Sequence, residues 1–300
     1  MVGTAFGHLP RSVPVKKPVS KPVTKPVTKP APAPAPAPAP VSVPAGLKRA
    51  LVVGINYVRT PYELYGCIND AVDIQKQLKT FFPSCKEYQL ITDETATKPT
   101  RANIMTALNW LIAGLKPGEN AMFHYSGHGG RVRDKNGDEV TGMDSCIYPV
   151  NAGKMETITD DDLRVNLAMR IPVGSKLFVV LDCCHSGTAV DLRCDWQATS
   201  ATALSFAENK KYEKTAGTVV FMSGCRDIET AMDTVNKEGR PCGALTMALL
   251  ETWKAYGPAI KFKHLLWDVR KFLRDNGYSQ VPQLSTGAPY DINTPFDLGS

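Results

Sequence analysis

The chain has 300 residues, of which 43% are hydrophobic, and this is enough for one large domain with an appendage or for two small domains. Its formal net charge of +6 is uneven: residues 1–46 carry six Lys or Arg and no acid, which leaves 29 basic and 29 acidic residues beyond them. The balanced body lacks the basic face that neutralises phosphates, so we expect no nucleic-acid partner.

Residues 1–46 predict a disordered arm rich in proline and lysine. A KPVTKPVTKP repeat is followed by APAPAPAPAP, and such a segment buries too little apolar surface to offset its ordering entropy. Every proline of the arm has an even number, so no PxxP pair spaced three residues apart is present for an SH3 domain. We favour a spacer or a regulatory, prodomain-like arm.

Residues 47–300 predict a single α/β domain. In chain order, the expected elements are strand Ala50–Ile55, helix Asp70–Phe82, strand Glu87–Ile91, helix Thr100–Leu115, strands Asn120–Tyr125, Lys176–Asp182 and Thr218–Ser223, and helices Gly243–Trp253 and Lys263–Arg274. Continuous apolar runs are typical of strands buried on both faces. The alternation of strands and helices favours an open, mostly parallel sheet flanked by helices on both faces.

Two of the predicted strands run into segments that carry reactive side chains. Strand Asn120–Tyr125 is followed by Ser-Gly-His-Gly-Gly, which contains His128, and strand Lys176–Asp182 is followed by Cys-Cys-His-Ser-Gly, which contains Cys184. Ligands bind beyond the carboxyl ends of the strands in open parallel sheets. We therefore expect the two segments to face one site.

A cysteine and a histidine at one site predict nucleophilic catalysis. The thiolate of Cys184 would be the nucleophile, and the imidazole of His128 would take its proton and later protonate the leaving amine. The glycines around His128 expose main-chain N–H groups, and we expect those of Gly129 and Cys184 to form an oxyanion hole. Loss of one such donor typically costs about 3 kcal/mol.

The other histidines and cysteines have simpler interpretations. We expect His124 to be a buried strand residue, and His185 to point away from the nucleophile because it directly follows it. Cys183 should pack in the core because side chains alternate along a strand. The remaining cysteines are expected to be small core residues: Cys67, Cys85, Cys146, Cys225 and Cys242. A zinc site near Cys183 and Cys194 is disfavoured because the spacing lacks a CxxC pair.

The cysteine pattern also indicates a compartment. Eight cysteines invite disulfides, but the chain is too long for a disulfide-stapled miniprotein, and no apolar signal-peptide core precedes them. No run of about 18 apolar residues predicts a membrane span. We expect an intracellular, cytoplasmic protein with reduced thiols.

The motifs together resemble the caspase-like cysteine peptidases, and the metacaspases in particular. The resemblance is carried by five segments of this chain, namely Tyr-Ser-Gly-His-Gly at 125–129, Asp-Cys-Cys-His-Ser-Gly at 182–187, Gly-Cys-Ile-Asn-Asp-Ala at 66–71, Gly-Asp-Glu at 137–139 and Ser-Gly-Cys-Arg-Asp at 223–227. The proline-rich arm before the domain is similar to the type I arrangement. The resemblance implies a monomeric endopeptidase that acts on proteins and peptides after Arg or Lys.

The resemblance also implies binding residues. The pocket for a basic side chain would hold the carboxylates of Asp182 and Asp70, with Cys67 and Ser126 on its wall. Many members need calcium, and the matching acids are Asp144, Asp160, Asp161 and Asp191. Carboxylate oxygens are the ligands that a hard cation prefers. For Asp160 and Asp161, helix capping is the alternative, and it is compatible with ion binding.

A peptidase specific for basic residues predicts cleavage of its own chain. Four lysines of the arm precede proline, which makes their peptide bonds poor substrates. Lys48-Arg49 and the loop that holds Lys210, Lys211 and Lys214 have no such protection. We expect calcium-dependent self-cleavage, as in a zymogen, near one or both.

Two other functions remain open at this point. One is an asparaginyl peptidase or ligase of the same clan, which the acids Asp182 and Asp70 in the pocket argue against. The other is a catalytically silent, caspase-like binding scaffold. The presence of both Cys184 and His128 argues against that, since a pseudoenzyme usually loses one of the pair.

Overall fold

A computed structural model describes residues 46–137, 142–151, 154–183, 190–224, 234–291 and 293–299 of the chain. The predicted arm lies outside this part except for its last residue, Gly46. The predicted nucleophile Cys184, and with it His185 and Cys225, also lie outside the described residues.

The described strands are β1 (Gly46–Gly54), β2 (Glu87–Thr92), β3 (Glu119–Ser126), β4 (Gly129–Arg133), β5 (Met143–Ile147), β6 (Val150–Asn151), β7 (Lys154–Met155), β8 (Ile158–Thr159), β9 (Lys176–Asp182), β10 (Cys194–Ser200), β11 (Ala203–Glu208), β12 (Thr218–Ser223), β13 (Thr234–Val235), β14 (Pro241–Cys242), β15 (Ile260–Lys261), β16 (Gln283–Thr286) and β17 (Pro295–Phe296). The helices are α1 (Cys67–Phe81), α2 (Arg101–Ile112), α3 (Asp160–Asn166), α4 (Ala244–Tyr256) and α5 (Phe262–Asp275), with a 3-10 turn at Ala168–Arg170.

Eight strands form the main sheet in the spatial order β11-β10-β16-β12-β9-β3-β1-β2. The five strands from β12 to β2 are parallel to their neighbours. The other three extend one edge with antiparallel pairs, β12 with β16, β16 with β10 and β10 with β11. The predicted mostly parallel sheet is confirmed, and the antiparallel extension was not predicted.

The helices cover both faces of the sheet, as predicted. Alternate residues of the parallel strands enter two separate core clusters: Val52, Met122 and Val180 pack with residues of α1, α4 and α5. Their neighbours along the strands pack with residues of α2 and α3 on the opposite face. The strands read as continuous apolar runs because both of their faces are buried.

Local capping determines where two helices begin. The side chain of Thr100 accepts a hydrogen bond from the Asn103 N–H and caps α2, so the helix starts one residue after the predicted boundary. Thr159 and Asp162 form a capping box on α3. These neighbours supply the capping box, while the Asp160 carboxylate accepts the Asp161 N–H in the first turn of the helix at 3.0 Å.

No disulfide joins the described cysteines to one another, and all six are buried: Cys67, Cys85, Cys146, Cys183, Cys194 and Cys242. Cys183 is completely buried in the core cluster below α2 and α3, which confirms its predicted packing role. Among the residues that the structure describes, no helix has the length and apolar character needed to cross a bilayer.

Candidate active site

The ends of β3 and β9 bring the two reactive segments side by side. Ser126 and Asp182, the last residues of these strands, are partners in the parallel register. Just beyond them, the Gly127 N–H donates to the Asp182 carbonyl at 3.4 Å. The segment with His128 and the segment that leads to Cys184 therefore leave the sheet at neighbouring positions. Cys184 itself, with its predicted oxyanion N–H group, lies beyond the described residues.

The His128 imidazole is half-buried and is held by its Nε2 atom. This nitrogen lies 2.8 Å from the carbonyl oxygen of Tyr62, which can only accept a hydrogen. The neutral ring must therefore carry its hydrogen on Nε2, and Nδ1 keeps the lone pair. A ring held in this way can take a proton through Nδ1, which is the function that the sequence predicts for it.

Two predicted pocket residues form a direct pair. Asp70 lies in the first turn of α1 and Ser126 at the end of β3, and the serine hydroxyl donates to Asp70 Oδ2 at 2.6 Å. The Gly243 N–H donates to the same carboxylate, 2.9 Å from each oxygen. Cys67, the first residue of α1, lies one turn before Asp70 and is buried.

The second predicted pocket acid, Asp182, reaches the same place from β9. Its Oδ2 accepts a hydrogen bond of 2.7 Å from the Thr246 N–H in the first turn of α4. Helix α4 has no side-chain cap from its own N-cap residue, Gly243. The carboxylates of Asp70 and Asp182 thus satisfy N–H groups at the N-terminus of α4, where the helix dipole favours negative charge.

Burial opposes the ionisation of Asp70. Only 1% of this residue is exposed, and burial raises its pKa well above the usual range. The neighbouring carboxylate of Asp182 raises the pKa further, while hydrogen bonds from Ser126 and Gly243 lower it. Two close carboxylates resist double ionisation because their charges repel. A cation that enters the site therefore gains more binding free energy than it would from one isolated acid.

His124 is the buried strand residue that the sequence predicts. It is fully buried on β3, and its Nε2 lies 3.0 Å from Thr246 Oγ1. Its Nδ1 is buried without a hydrogen-bond partner among the described residues. Burial lowers the pKa of His124 to about 3, so the ring is neutral. The neutral ring contacts Thr246 in the first turn of α4, the residue whose N–H donates to Asp182.

Three of the four predicted calcium ligands lie together. Asp144 on β5 and Asp160 and Asp161 on α3 offer carboxylate oxygens that lie within 4.8 Å of one another. Asp144 and Asp160 are buried, and Asp161 is half-buried. Two buried carboxylates and a third beside them form a donor set that fits a hard divalent cation. The Asp160 carboxylate also accepts the Ser145 N–H at 2.7 Å, which joins α3 to β5.

The fourth predicted ligand, Asp191, does not belong to this group of three. Its Oδ1 accepts a hydrogen bond from the Tyr212 hydroxyl at 3.0 Å, and its backbone carbonyl accepts one from Arg164 on α3. Its φ of 45° is in the left-handed region, which few residues other than glycine adopt. Asp191 thus connects α3 with the loop after β11.

The two predicted self-cleavage segments have different surroundings. Lys48 and Arg49 lie within β1, which is paired with β2 and β3, and both side chains contact Glu87. A peptidase needs an extended segment free of such pairing, so cleavage there requires β1 to leave the sheet. The lysines of the second segment, Lys210, Lys211 and Lys214, are all exposed after β11.

Several residues of this site carry no recognisable signal in the sequence. Tyr62 acts through its backbone carbonyl, which every residue has. Gly243 matters because a Cβ there would lie 2.2 Å from Asp182 Oδ2. Thr246 contributes an N–H group to one acid and a hydroxyl to His124. Tyr57, whose ring centroid lies 4.6 Å from that of His128, could have been noticed only as an aromatic residue after a buried strand.

Comparison with known proteins identifies the family of this chain. The metacaspase peptidase C14 domain model matches residues 48–193, a range that includes the segments of His128 and Cys184. Metacaspase-1 of Schizosaccharomyces pombe is 33% identical, over 84% of this chain and 70% of its own length. Metacaspase-1 of Cryptococcus neoformans is also 33% identical, and the chain spans 65% of its length, slightly less than two thirds.

A solved structure supports the fold. A protein of Geobacter sulfurreducens aligns with a TM-score of 0.60 at 22% identity, over 84% of this chain and 99% of its own. At that identity the likeness concerns the fold alone, and the family rests on the sequence matches. The chain belongs to the metacaspases, a family of caspase-like cysteine-type endopeptidases.

Proposed function

We propose that the chain is a calcium-dependent endopeptidase that cleaves after Arg or Lys with Cys184 as nucleophile and His128 as its proton-transfer partner. The observation that carries the specificity is the convergence of the Asp70 and Asp182 carboxylates at the end of β9, the strand that leads to Cys184. A pocket that ends in two buried acids favours a cationic side chain and disfavours an acidic one.

The chemistry proceeds in two stages. The Cys184 thiol gives its proton to His128 Nδ1, and the thiolate sulfur attacks the scissile carbonyl carbon. The resulting oxyanion accepts hydrogen bonds from the N–H groups of Gly129 and Cys184. When the C–N bond breaks, the imidazolium protonates the leaving amine, and a thioester remains. Water then attacks the thioester with His128 as general base, which releases the acid and restores the thiol.

The pocket acids act on binding and orientation. A guanidinium or ammonium group between Asp70 and Asp182 would receive charge-assisted hydrogen bonds, which are stronger than those between neutral groups. Ser126 holds Asp70 through the 2.6 Å hydrogen bond and so limits its rotation. A substrate anchored in this way places its scissile carbonyl beside the nucleophile, and this orientation lowers the barrier.

For calcium, the donor set is Asp144, Asp160 and Asp161. The bound ion would supply positive charge that neutralises these acids and ties α3 to β5. Strand β5, which carries Asp144, is paired with β4, and β4 begins at the residue after His128, so one small sheet links Asp144 to the histidine segment. Asp191 would respond indirectly, since Arg164 on α3 donates to its carbonyl.

Self-cleavage would regulate the enzyme, and the exposed loop is the better candidate. Lys210, Lys211 and Lys214 follow β11 without strand pairing, whereas Lys48 and Arg49 are part of β1. Purified protein incubated with calcium should be cut in this loop, as mass spectrometry of the fragments would reveal. If the chain stays intact while it hydrolyses a basic peptide, the proposed self-cleavage is contradicted.

Two further properties belong to the proposal. Buried cysteines without a disulfide among the described residues fit a reducing, cytoplasmic environment. The balanced charge of the domain fits a monomer or a dimer, and the family resemblance implies a monomer, which light scattering coupled to gel filtration would test.

Matched fluorogenic peptides that differ only in the residue before the scissile bond test the proposed function. We expect cleavage after Arg and Lys, not after Asp or Asn, with millimolar calcium and none with chelator. The Cys184→Ala variant should be silent on every peptide. Cleavage after Asn would favour an asparaginyl peptidase. Silence of the folded wild-type chain on all four peptides would favour a binding scaffold.

A further inference from the structure

The backbone of His128 belongs to a closed hydrogen-bond circuit. Its N–H donates to the Tyr57 hydroxyl at 2.9 Å, and that hydroxyl donates to the Tyr148 carbonyl at 2.7 Å. The Tyr148 N–H in turn donates to the His128 carbonyl at 3.2 Å. The circuit joins the end of β1, the segment after β3 and the end of β5 around one residue.

A second tyrosine, Tyr125, joins the circuit. The Tyr125 hydroxyl donates to the His128 carbonyl at 2.7 Å and lies 2.9 Å from the Tyr57 hydroxyl. Both tyrosines are completely buried, and burial raises the pKa of each hydroxyl well above the usual range. Both hydroxyls therefore keep their hydrogens across the working pH range and can serve as donors.

The Tyr57 hydroxyl matters more for the position of His128 than the Tyr125 hydroxyl does. The two hydroxyls and the N–H groups of His128 and Tyr148 supply four hydrogens for the five contacts of this circuit. The His128 N–H has the Tyr57 hydroxyl as its acceptor. The His128 carbonyl, by contrast, accepts from both Tyr125 and the Tyr148 N–H. Loss of the Tyr57 hydroxyl should therefore disturb the histidine more than loss of the Tyr125 hydroxyl.

The same tyrosine also supports the imidazole. The segment of residues 56–64 contains both Tyr57 and Tyr62, and the Tyr62 carbonyl binds His128 Nε2. Within it, the Thr60 hydroxyl donates to the Tyr57 carbonyl at 2.7 Å and accepts the Tyr62 N–H at 3.1 Å. Tyr57 thus contacts His128 through its hydroxyl and ring, and is linked to the Nε2 acceptor through Thr60.

The conformation of this segment leaves little freedom. Tyr57 has a φ of 52°, in the left-handed region that few residues with side chains adopt. A Cβ on Gly127 would lie 2.6 Å from the Tyr125 hydroxyl and 3.0 Å from that of Tyr57. The glycine before His128 therefore lets the backbone approach both hydroxyls. Strain and close approach of this kind persist where the surrounding structure fixes a functional group.

We propose that Tyr57, with Tyr125 as its partner, is a positioning residue that fixes the backbone and ring of His128 for proton transfer. The inference rests on the proposed function, in which His128 accepts the proton of Cys184. Neither tyrosine touches the reacting atoms in this scheme. Their hydroxyls hold the histidine in place, and displacement by about 1 Å can reduce a rate by roughly 100-fold.

A simpler alternative is that the tyrosine pair only stabilises the fold. Tyr88 provides a matched control, because its hydroxyl donates to the Phe82 carbonyl at 3.2 Å, away from His128. Tyr57→Phe, Tyr125→Phe and Tyr88→Phe each remove one hydroxyl that binds a backbone group. A purely structural function predicts that all three variants lose thermal stability while the folded fraction keeps its kinetics.

The test combines steady-state kinetics with the pH dependence of Cys184 alkylation by iodoacetamide. For Tyr57→Phe we expect kcat to fall roughly 10- to 100-fold with KM for an Arg peptide within twofold. Its alkylation profile should move towards that of an ordinary thiol, because a displaced imidazolium stabilises the thiolate less. Tyr125→Phe should show a smaller change in the same direction, and Tyr88→Phe neither change.

The outcomes separate the two proposals. If Cys184→Ala is inactive but Tyr57→Phe and Tyr125→Phe keep the wild-type kcat and alkylation profile, the positioning function is overturned and the peptidase stands. If Cys184→Ala cleaves like the wild type, the proposed function fails whatever the tyrosine variants do. If Tyr57→Phe does not fold, the profile of Tyr125→Phe alone decides between positioning and stability.

Discussion

Asp70 and Asp182 reach one point of the structure from different elements, α1 and β9. A Cβ placed on Gly243 would lie 2.7 Å from Asp70 Oδ2 and 2.2 Å from Asp182 Oδ2. The two acids are thus brought together over the N-terminus of α4. This arrangement makes the proposed pocket depend on a residue that has no side chain.

Gly243→Ala should damage the pocket through steric overlap. The φ of −78° at Gly243 suits any residue, so the effect would come from the carboxylates and not from the backbone. Overpacking of this kind typically costs about 1–3 kcal/mol, and the acids must move to relieve it. We expect KM for an Arg peptide to rise about tenfold or more, with a lower melting temperature.

Gly46→Ala is the control for that substitution, because a Cβ there meets nothing within 4 Å. It should leave both KM and the melting temperature close to the wild-type values. An unchanged KM for Gly243→Ala would mean that the acids do not bind the substrate side chain.

Binding of a cation in the pocket should release protons. Burial and Asp182 raise the pKa of Asp70, so part of the pair is protonated in the empty pocket. A bound cation favours the ionised form, and its affinity should therefore increase as the pH rises through the raised pKa. Cys242 adds no charge, since burial raises its pKa to about 12. Calorimetry with benzamidine in two buffers of different ionisation enthalpy measures the released protons.

Asp70→Asn should abolish this release, whereas Asp73→Asn should keep it. Asp73 lies one turn further along α1 and forms an ion pair with Arg240. Binding of benzamidine without proton release by the wild type at every pH from 5 to 8 would contradict a protonated acid in the empty pocket.

The residues that could be predicted from the sequence are those whose function follows from the chemical type of the side chain. The bounds of β9 and β12 match the prediction to the residue, because each is a continuous apolar run between polar neighbours. Strand β10 was not predicted because it lacks a continuous apolar run: its buried residues Cys194 and Trp196 alternate with more exposed ones, as expected near a sheet edge. Likewise, Tyr62 contributes only its backbone carbonyl, and Gly243 matters because it has no side chain. Sequence patterns reveal neither feature.

Buried His124 should make the fold sensitive to acid. Its folded-state pKa of about 3 lies below the usual value of 6.5, so the folded state binds fewer protons than the unfolded state. This stabilising contribution is complete above pH 6.5 and is lost as the pH falls towards 3. The free energy of unfolding should fall by about 1.4 kcal/mol for each pH unit in that window.

Urea unfolding of His124→Gln at pH 7 and pH 5 measures this contribution, and His264→Gln on α5 is the control. The raised pKa of Asp70 acts with the opposite sign, since its contribution decreases as the pH rises. It is present in every variant and cancels when their pH slopes are compared. Equal slopes for the wild type and His124→Gln would mean that His124 does not remain neutral in the fold.

Calcium binding should depend on Asp160 and not on its neighbour Asp162. Asp160 is 1% exposed and belongs to the three-acid group, whereas Asp162 forms the capping box of α3 and an ion pair with Arg101. Removal of one charged ligand weakens calcium binding because affinity follows the number of charged ligands. We expect Asp160→Asn to raise the calcium dissociation constant about tenfold or more, and Asp162→Asn to leave it near the wild-type value.

Calorimetric calcium titration of both variants in a Cys184→Ala background checks this prediction without interference from self-cleavage. In the same samples, the imidazole resonances of His128 should shift when calcium is added, because β5 carries Asp144 and is paired with the strand that begins beside the histidine. The shift should require more calcium in Asp160→Asn. Equal calcium affinity in both variants would mean that calcium binds elsewhere. If the His128 resonances do not shift when calcium binds, the small sheet does not transmit calcium binding to His128.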